Sequence, residues 1–518
     1  MRQVKLSSNI RQRLGFLILK QFKKAENYNL YIIKKLKSTP THYPIMKSHN
    51  IFTLTFFFIS TLMFSCTGTN VQQDTETDPW DQVEEILARI QAPEFPDNDF
   101  NILEYGAQAD GKTDASAAIK AAIEACAEAG GGRVIVPSGD YATGPIYIKS
   151  NVNLHVEQGG RLLFSTNPQD YLPNVFTRWE GVELMNYSPL IYAFEEENIA
   201  ITGEGILDGQ ADETNWWPWK GKEQYGWKKG DPHQEDRDKR HALFQMAEDG
   251  VPVEERVFGE GFYLRPQFVQ PYRSKNVLIQ GVTIVNSPMW ILNPVLCENV
   301  TIEGVRIISH GPNSDGCDPE SSKDVLIRNT FFDTGDDCIA IKSGRNADGR
   351  RINVPSENIV IQNCQMADGH GGVVIGSEIS GGVRNVFAED TEMNSPNLDR
   401  VLRIKTSSMR GGVIENIYMR NIEVGEVAEQ VFRVNMFYED SGAYVPTVRN
   451  VKVENLNVEK GGKVGILLEG YENSPVENIH LKNVNIKSVD RNYRFSNIKN
   501  VRFENVTING EEVILQND

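Results

Sequence analysis

The chain is 518 residues long, and 40% of its residues are apolar and 24% are charged. This composition is typical of a globular protein and excludes disorder over the whole length. Six cysteines are too few for a disulfide-stapled scaffold. A formal net charge of −17 also argues against a nucleic-acid-binding protein, since such proteins normally carry a basic surface, so no nucleic-acid partner is expected.

The N-terminal stretch differs in charge from the rest of the chain. Residues 1–47 hold eleven Lys and Arg against one acid, Glu26, whereas the remainder is strongly acidic. The apolar run over 51–64 is too short to span a bilayer and is typical of the core of a signal peptide. A small residue directly before Cys66 resembles the lipobox of bacterial lipoproteins.

These features divide the chain into four predicted parts. They are an upstream extension outside the natural protein (1–45), a lipoprotein-type signal peptide (46–66), a polar tether (67–97) and one working domain (98–518). The predicted location is the periplasm or the outer membrane, with a lipid on Cys66 as the single membrane contact. Secretion without a lipid and an uncleaved anchor stay open as alternatives.

The working domain begins with a predicted cap. Residues 101–106 are predicted to form a strand and a turn. Thr113 or Asp114 is then expected to cap a helix that runs to Glu128 and ends at the glycines 130–132. An amphipathic helix at this point would cover strand edges that would otherwise invite aggregation.

After the cap, one nine-residue pattern recurs: Asn or Asp, apolar, any, apolar, any, a polar residue or glycine, apolar, any, apolar. The copies begin at Asn198, Asn276, Asn299, Asp324, Asn358, Asn385, Asn416, Asn450, Asn478 and Asn500. Alternating apolar positions predict strands with one buried face, and the middle position predicts a turn. Units this short cannot bury a core alone and must stack. The pattern predicts an all-β parallel β-helix, with the repeated asparagines stacked at one corner.

Four consecutive loops between the repeats carry chemically active side chains. They hold, in chain order, Asn313, Ser314 and Asp315; Asp336 and Asp337; His370; Arg403 and Lys405. All of these side chains follow the asparagine or aspartate of their repeat by 12 to 20 residues. Because equal phase in a β-helix means the same side of successive rungs, about 4.8 Å apart, we expect these groups to converge on one face.

This convergence would bring three carboxyl groups together with one imidazole and two cations. Three close carboxyl groups cannot all be ionised cheaply, so one of them should hold a proton near neutral pH. A protonated acid beside an ionised one can split a glycosidic bond, and the cations suit a sugar that bears a carboxylate. Asp-Asp and Asp-Gly pairs are by themselves ordinary turn residues, and only their shared phase favours a site. Ser314 is expected to be structural.

The neighbouring segment 342–351 holds four cations, Lys342, Arg345, Arg350 and Arg351, against the single acid Asp348. We therefore expect the cleft to be locally basic although the chain as a whole is acidic.

The loop motifs resemble the signatures of one enzyme family. Asn-Ser-Asp, Gly-Asp-Asp, Gly-His-Gly and Arg-Ile-Lys, in this order and spacing, are similar to those of glycoside hydrolase family 28, the polygalacturonases. The string FNILEYGAQADGKTDASAAI is also similar to the N-terminal segment of that superfamily, so the resemblance covers about residues 98–518. Ser314 stands where many members have threonine, which is a conservative departure.

The resemblance implies a fold and a reaction. The fold would be a right-handed, pectin-lyase-like parallel β-helix with a short N-terminal capping helix. The reaction would be hydrolysis of α-1,4-linked galacturonic acid with inversion, in which Asp336 is the general acid, Asp315 and Asp337 activate the water and His370 tunes the acid. Carboxylates one rung apart are closer than inverting enzymes usually hold them, so inversion rests on the resemblance.

The resemblance also implies substrate contacts. Arg403 and Lys405 would bind the galacturonate carboxylate, and Asn313 and Tyr438 are predicted as further substrate-binding residues. The expected partner is a pectic polysaccharide or an oligogalacturonide, bound by a monomer without a metal or a cofactor. The cysteines beyond Cys66 are too widely spaced for a metal site and are predicted to be buried thiols rather than disulfides.

A long insertion between Asn198 and Asn276 contains Trp216, Trp217, Trp219 and Trp227. These rings could stack on sugars or form the core of a loop subdomain. A bulky insertion beside the cleft would close one end of it and favour exo action. The alternatives that remain are a rhamnogalacturonan or xylogalacturonan hydrolase, a pectate lyase and a non-catalytic carbohydrate-binding β-helix.

Overall fold

The structure, a computed structural model, describes residues 78–514. The predicted upstream extension, the signal peptide, the lipid on Cys66 and the first part of the tether lie outside these described residues. Within 78–514, no helix is both long enough and apolar enough to cross a membrane.

The helices are α1 (Asp81–Arg89), α2 (Ser116–Glu128), α3 (Arg240–Glu248) and α4 (Asn346–Ile352). The strands of the N-terminal half are β1 (Asp99–Asn101), β2 (Asp110–Asp114), β3 (Gly132–Val136), β4 (Gly139–Thr143), β5 (Ile146–Tyr147), β6 (Val152–Val156), β7 (Gly160–Phe164), β8 (Val175–Trp179), β9 (Val182–Asn186), β10 (Ile191–Phe194), β11 (Glu197–Gly203), β12 (Ile206–Asp208), β13 (Val269–Tyr272), β14 (Lys275–Gln280), β15 (Thr283–Val285), β16 (Glu298–Glu303) and β17 (Arg306–Ser309). Those of the C-terminal half are β18 (Lys323–Arg328), β19 (Phe331–Thr334), β20 (Ile339–Ile341), β21 (Ser356–Gln362), β22 (Gln365–Asp368), β23 (Val373–Ile375), β24 (Val383–Met393), β25 (Arg400–Lys405), β26 (Val413–Glu426), β27 (Gln430–Asn435), β28 (Thr447–Lys460), β29 (Val464–Glu469), β30 (Val476–Ile486), β31 (Arg491–Ser496), β32 (Ile498–Ile508) and β33 (Glu511–Glu512).

The strands stack in parallel into a β-helix with three faces. Face A runs from β1 through β14, β18 and β24 to β32, and face B runs from β2 through β15 and β19 into the second halves of the long strands from β24 onward. Face C runs from β5 through β10 and β13 to β20 and β31, with bridges from Leu292 to Cys317 and from Cys317 to Ile339 completing it. Inward-facing aliphatic side chains form one continuous core along the cylinder. The predicted parallel β-helix is confirmed.

Stacked asparagines fix the corner that leads into face A, as predicted. The repeat residue of each rung adopts a left-handed backbone, for example Asn416 at φ 59°. Its amide donates to the same residue of the preceding rung, so that Asn416 Nδ2 lies 3.0 Å from Asn385 Oδ1 and Asn450 Nδ2 lies 3.0 Å from Asn416 Oδ1. Asparagine fits here because it tolerates this conformation and can both donate and accept.

The middle position of the repeat forms the bend between faces A and B. Asn421 has φ 55°, yet the strand β26 continues through it. The bend is therefore a single left-handed residue in the C-terminal rungs, whereas the earlier rungs break into two separate strands.

The predicted cap is present as α2. The carboxylate of Asp114 accepts from the backbone N–H of Ser116 at 2.9 Å, and the helix buries Ile119, Ile123 and Cys126 against the first rungs. All five cysteines in the described part of the chain are buried free thiols, as predicted.

The predicted tether differs from the structure in its second half. Within 67–97, α1 packs against face A instead of standing free. Trp80 meets the ring of Phe387 edge-on at 5.5 Å, and Arg89 forms an ion pair with Asp324 at 2.9 Å. The segment is too polar on average to predict this docking, because only one face of the short helix is apolar.

Candidate active site

The sequence-predicted acids lie where face B turns into face C, on successive rungs. Asp315 follows β17, Asp336 and Asp337 connect β19 to β20, and His370 connects β22 to β23. Backbone hydrogen bonds stack these turns directly on one another, with Gly316 N–H donating to Asp337 O at 2.9 Å. The equal phase of the motifs therefore brings the side chains together.

The three carboxyl groups form one compact cluster. Asp315, Asp336 and Asp337 each place an oxygen within 4.8 Å of the others. Their access to solvent differs, because the side chain of Asp336 is 19% exposed while those of Asp315 and Asp337 are 5% and 0% exposed. Asp336 is thus the carboxyl group that a bound molecule can reach.

His370 holds Asp336 in place. His370 Nδ1 lies 3.0 Å from Asp336 Oδ1, and the same oxygen accepts from the backbone N–H of Asp337 at 3.0 Å. Gly369 permits this approach, since it has φ 151° and a Cβ there would lie 2.7 Å from the Asp336 carbonyl oxygen. The Gly-His-Gly sequence is therefore needed to bring the imidazole to the carboxylate.

The cluster separates the pKa values of its acids. Burial, and then the charge of Asp336, raise the pKa of Asp315 to about 8. Burial pushes the pKa of Asp336 upward as well, but the hydrogen bond and charge of His370 outweigh it and hold that pKa well below its usual range. The hydrogen bond to Asp336 in turn raises the pKa of His370 to about 9. The cluster therefore holds protons at neutral pH, as three close acids require.

A buried network lies beneath Asp315, and only one of its members is singled out by the sequence. Lys342 Nζ is 3.5 Å from Asp315 Oδ2, 3.4 Å from Asp318 Oδ1 and 3.5 Å from Glu378 Oε2. Asp318 is 0% exposed, and burial followed by the charge of Asp315 raises its pKa well above the usual range. A signal was available, because Asp318 and Glu378 directly extend the Asn-Ser-Asp and Gly-His-Gly strings.

The predicted cations lie on the C-terminal side of the acids. Lys405 Nζ is 2.6 Å from Asp337 Oδ2, and Arg403 Nη1 is 3.6 Å from Asp337 Oδ1. The ring of Tyr438, which is 38% exposed, lies 5.3 Å from the guanidinium carbon of Arg403 and 5.4 Å from Lys405 Nζ. An exposed aromatic ring beside two cations is a surface on which an anionic sugar can lie.

Asn313 occupies a supporting position. Its Oδ1 accepts from Arg265 Nη2 at 2.9 Å, and its φ of 55° is left-handed. Arg265 also donates to the carbonyl oxygens of Pro288 and Pro312 at 2.7 and 2.6 Å, which fastens the insertion to this loop. Ser314 is fully buried and accepts from Ser309 at 3.2 Å, in agreement with a structural role.

The insertion over 209–268 packs on the loops at the N-terminal side of the acids, and we call this part of it the wall, while its helix α3 packs on α4. Trp217 Nε1 donates to Ser287 O at 2.9 Å and its ring packs on Gly311, beside the Asn313 loop. Trp216 is 1% exposed, lies 4.9 Å from the ring of Trp219 and meets the ring of Tyr171 edge-on at 5.6 Å, so it packs the insertion onto the main core of the β-helix. Of the two interpretations of the tryptophan cluster, the structure supports the packing one for Trp216.

The expectation that the cations of 342–351 make the cleft locally basic is wrong, because acids from distant parts of the chain neutralise them. Arg351 pairs with Glu183 at 2.6 Å and with Asp348 at 3.0 Å. Arg345 pairs with Glu378 at 3.1 Å and with Glu439 at 3.3 Å. Sequence windows miss these partners because they come from the hairpin β8–β9 and from later rungs.

Within residues 78–514, two groups of side chains have the spacing that a cation site would need. One is the acid cluster itself, whose charge Lys342, Lys405 and His370 already balance. The other is His310, Asp333 and Asp368, where His310 Nε2 already lies 2.9 Å from Asp333. The arrangement of the acid cluster suits proton transfer rather than metal binding.

A parallel β-helix with a partly exposed acid, two buried acids, a hydrogen-bonded histidine and flanking cations defines an enzyme that cleaves glycosidic bonds by acid–base chemistry. Comparison with known proteins agrees. The family model "Glycosyl hydrolases family 28" matches residues 261–509, and "Rhamnogalacturonase A/epimerase, pectate lyase-like" matches 100–158. The chain belongs to glycosyl hydrolase family 28.

Individual relatives extend this result. A hyperthermoactive exopolygalacturonase from Thermotoga maritima, known from a crystal structure, is 50% identical in sequence to this chain. The match covers 83% of this chain and 96% of the Thermotoga chain, with a TM-score of 0.81. An exo-poly-alpha-D-galacturonosidase from Dickeya chrysanthemi is 28% identical over 472 residues, which is 80% of this chain and 74% of the relative. A family 28 exopolygalacturonase from Yersinia enterocolitica shares the fold, with a TM-score of 0.63 at 23% identity over 78% of each chain.

Proposed function

We propose that this protein is an exo-acting polygalacturonase that hydrolyses the terminal α-1,4-galacturonosyl linkage of pectic chains. The observation that carries the proposal is the reachable Asp336 carboxyl group, bonded to His370 and backed by Asp315 and Asp337, beside the cations Arg403 and Lys405. The 50% identity to an exopolygalacturonase supports the same substrate.

In the proposed reaction, Asp336 protonates the leaving glycosidic oxygen. Its proton comes from His370, across the 3.0 Å hydrogen bond. Once Asp336 is neutral, the charge that helps to raise the pKa of Asp315 disappears, so Asp315 releases its own proton to solvent and can then, with Asp337, accept a proton from the attacking water. As the water adds to the anomeric carbon, the bond to the leaving sugar breaks, Asp336 gives its proton to the leaving oxygen and Asp315 takes one from the water. His370 then regains a proton from solvent, which restores the starting state.

The cations define the substrate. Arg403 and Lys405 lie on the C-terminal side of Asp336, away from the wall, and would bind the carboxylate of the leaving sugar. Tyr438 would support the ring of that sugar. The terminal galacturonate, which is set free as a monosaccharide, would lie on the other side of the cleaved bond, between the acids and the wall. This arrangement supports exo action, because the wall leaves little room for a longer chain on that side.

The stereochemistry proposed is inversion, which family resemblance implies. The nearest oxygens of the three carboxyl groups are within 4.8 Å of one another, which is closer than the spacing usual for inverting enzymes. In an inverting reaction, the oxygen that protonates the leaving group and the oxygen that activates the water would therefore be a more widely separated pair from the same carboxyl groups. Proton NMR of the first product separates the outcomes, because inversion releases the β-anomer and retention the α-anomer.

The main test is product analysis on polygalacturonate. We expect free galacturonate from the first time point, and we expect Asp336→Asn to lower kcat by at least about a hundredfold while the protein stays folded. Asp333→Asn, in the neighbouring His–Asp pair, is the matched control. An early ladder of mixed oligomers would disprove exo action, and an unsaturated product absorbing in the ultraviolet would instead indicate a lyase.

We also propose that the protein is exported and held at a membrane by a lipid on Cys66, and that it acts as a monomer. The apolar run over 51–64 ahead of this cysteine supports export. Cys66→Ser should move the enzyme from the membrane fraction to the soluble fraction, and an unchanged distribution would contradict lipidation.

A further inference from the structure

A row of outward-facing side chains crosses face C beyond the acids. In register along β20, β23, β25, β27, β29 and β31 lie Ala340, Val374, Arg403, Arg433, Leu467 and Arg494. The row begins with small side chains beside the acid cluster and continues with guanidinium groups on the rungs that lead away from the wall. Arg433 is the first of these cations beyond the Arg-Ile-Lys motif.

Arg433 lacks the acidic partner that many other surface cations have. On face A, for example, Arg449 forms an ion pair with Glu415 of the preceding rung at 2.6 Å. Arg433 makes no ion pair with any residue in 78–514, and its Nε has no hydrogen-bond partner there. Its Nη1 donates to Gln430 Oε1 at 3.4 Å, but that oxygen already accepts from Arg400 Nε at 2.7 Å.

Arg400, Arg403 and Arg433 therefore form a cluster of like charges, which we call the arginine cluster. Burial, and then the charges of Arg400 and Arg403, lower the pKa of Arg433 to about 10. Arg400 and Arg403 have acidic partners of their own, Asp399 at 2.9 Å and Asp337 at 3.6 Å, whereas Arg433 has none within 78–514. The charge of Glu469 acts on Arg433, but that carboxylate is bound to Arg494 at 2.6 Å. Such a cluster is unfavourable without an anion and becomes favourable when one binds.

We propose that Arg433 binds the carboxylate of the third galacturonate from the chain end, one sugar beyond the residue held by Arg403 and Lys405. This inference rests on the proposed function. Rungs are about 4.8 Å apart, close to the length of one pyranose ring, so consecutive uronates can meet consecutive rungs. The wall on the opposite side directs the rest of the chain over this row.

Steady-state kinetics on digalacturonate and trigalacturonate test the assignment. Arg433→Gln should lower the ratio of kcat/KM for the trimer to kcat/KM for the dimer about tenfold, the loss expected for one charge-assisted contact. Wild-type enzyme should show the same loss when the third carboxyl group is methyl-esterified, and the variant should no longer respond to that ester. Arg449→Gln, on face A, should leave the ratio unchanged.

The results separate this inference from the proposed function. A variant with an unaltered trimer-to-dimer ratio, or one that still responds to the ester as the wild type does, would overturn the role of Arg433. Failure of the wild-type enzyme to hydrolyse digalacturonate would instead refute the proposed function. A folding defect lowers activity on both substrates equally and leaves the ratio, which is the measured quantity, unchanged.

Discussion

Asp336 and Asp315 show how one carboxyl group can be kept ionised and its neighbour protonated within 4.8 Å. The difference comes from their surroundings, since Asp336 receives a hydrogen bond from His370, whereas burial and then the charge of Asp336 raise the pKa of Asp315 against the lowering effect of Lys342. Because the groups interact strongly, their protons belong to the cluster rather than to single residues. The imidazole keeps a proton 3.0 Å from the acid that must deliver it.

His370→Asn should therefore change the pH profile as well as the rate. His370, whose pKa the hydrogen bond to Asp336 raises to about 9, holds the proton that Asp336 delivers, so without it that proton is lost at lower pH and the alkaline limb of kcat/KM moves to lower pH. We also expect kcat to fall about a hundredfold, because the proton store is lost. Rates measured from pH 3 to 9 check this, with His480→Asn, a histidine paired to Glu504 on face A, as the control. An alkaline limb at the same pH in His370→Asn would contradict the role given to this residue.

The sequence predicts the site well where the position of a residue within its repeat is enough to place its side chain. Asp315, Asp336 and His370 converge because each follows its repeat at a similar distance. Arg433 is not predictable in the same way, and Asp318 is marked only by its place three residues after Asp315. Their importance depends on which charged residues of other rungs lie close to them in the folded β-helix.

The repeat rung is the structural unit of the molecule, and its corner asparagine has two separate tasks. It must adopt a left-handed backbone, and its amide must link the rungs on either side. Both are visible at Asn416, which has φ 59° and bonds to Asn385 and Asn450. The nine-residue period encodes this unit directly, which is why the fold can be predicted. By contrast, α1 and the insertion have no period to reveal them.

Two substitutions at this corner separate its two tasks. Asn416→Ala loses both amide bonds and forces a Cβ into the left-handed region, so we expect the free energy of unfolding to fall by about 2 to 4 kcal/mol. Asn416→Gly loses the amide bonds but tolerates the backbone, so the loss should be about 1 to 2 kcal/mol. Denaturant unfolding of both variants checks the order. Equal losses would show that the backbone conformation carries no cost.

The molecule as a whole joins an acidic body to a cationic binding surface. The net charge is −17, yet Arg403, Lys405 and the arginine cluster lie together on one side of face C. Distant charges act over a Debye length of about 30 Å at 0.01 M salt and only about 8 Å at 0.15 M, while contacts in a partly buried site are screened less. Salt should therefore weaken the general repulsion of a polyanion more than it weakens local binding.

Activity on polymer and dimer should respond differently to salt. Between 0.01 M and 0.15 M ionic strength, we expect kcat/KM for polygalacturonate to rise several-fold, because association is limited by long-range repulsion. For digalacturonate, whose charges lie within the site, the value should stay level or fall. Initial rates at constant pH provide the measurement, and a parallel decline for both substrates would show that the acidic body has no influence.

The insertion that walls off the N-terminal end of the binding surface also has a kinetic consequence. We expect that a chain entering from the open end does not slide onward after cleavage, because the released monosaccharide would lie between the wall and the shortened polymer. The polymer would then withdraw before the monosaccharide leaves, so that each encounter removes a single unit. Solutions of the substrate should keep most of their viscosity while reducing ends accumulate steadily.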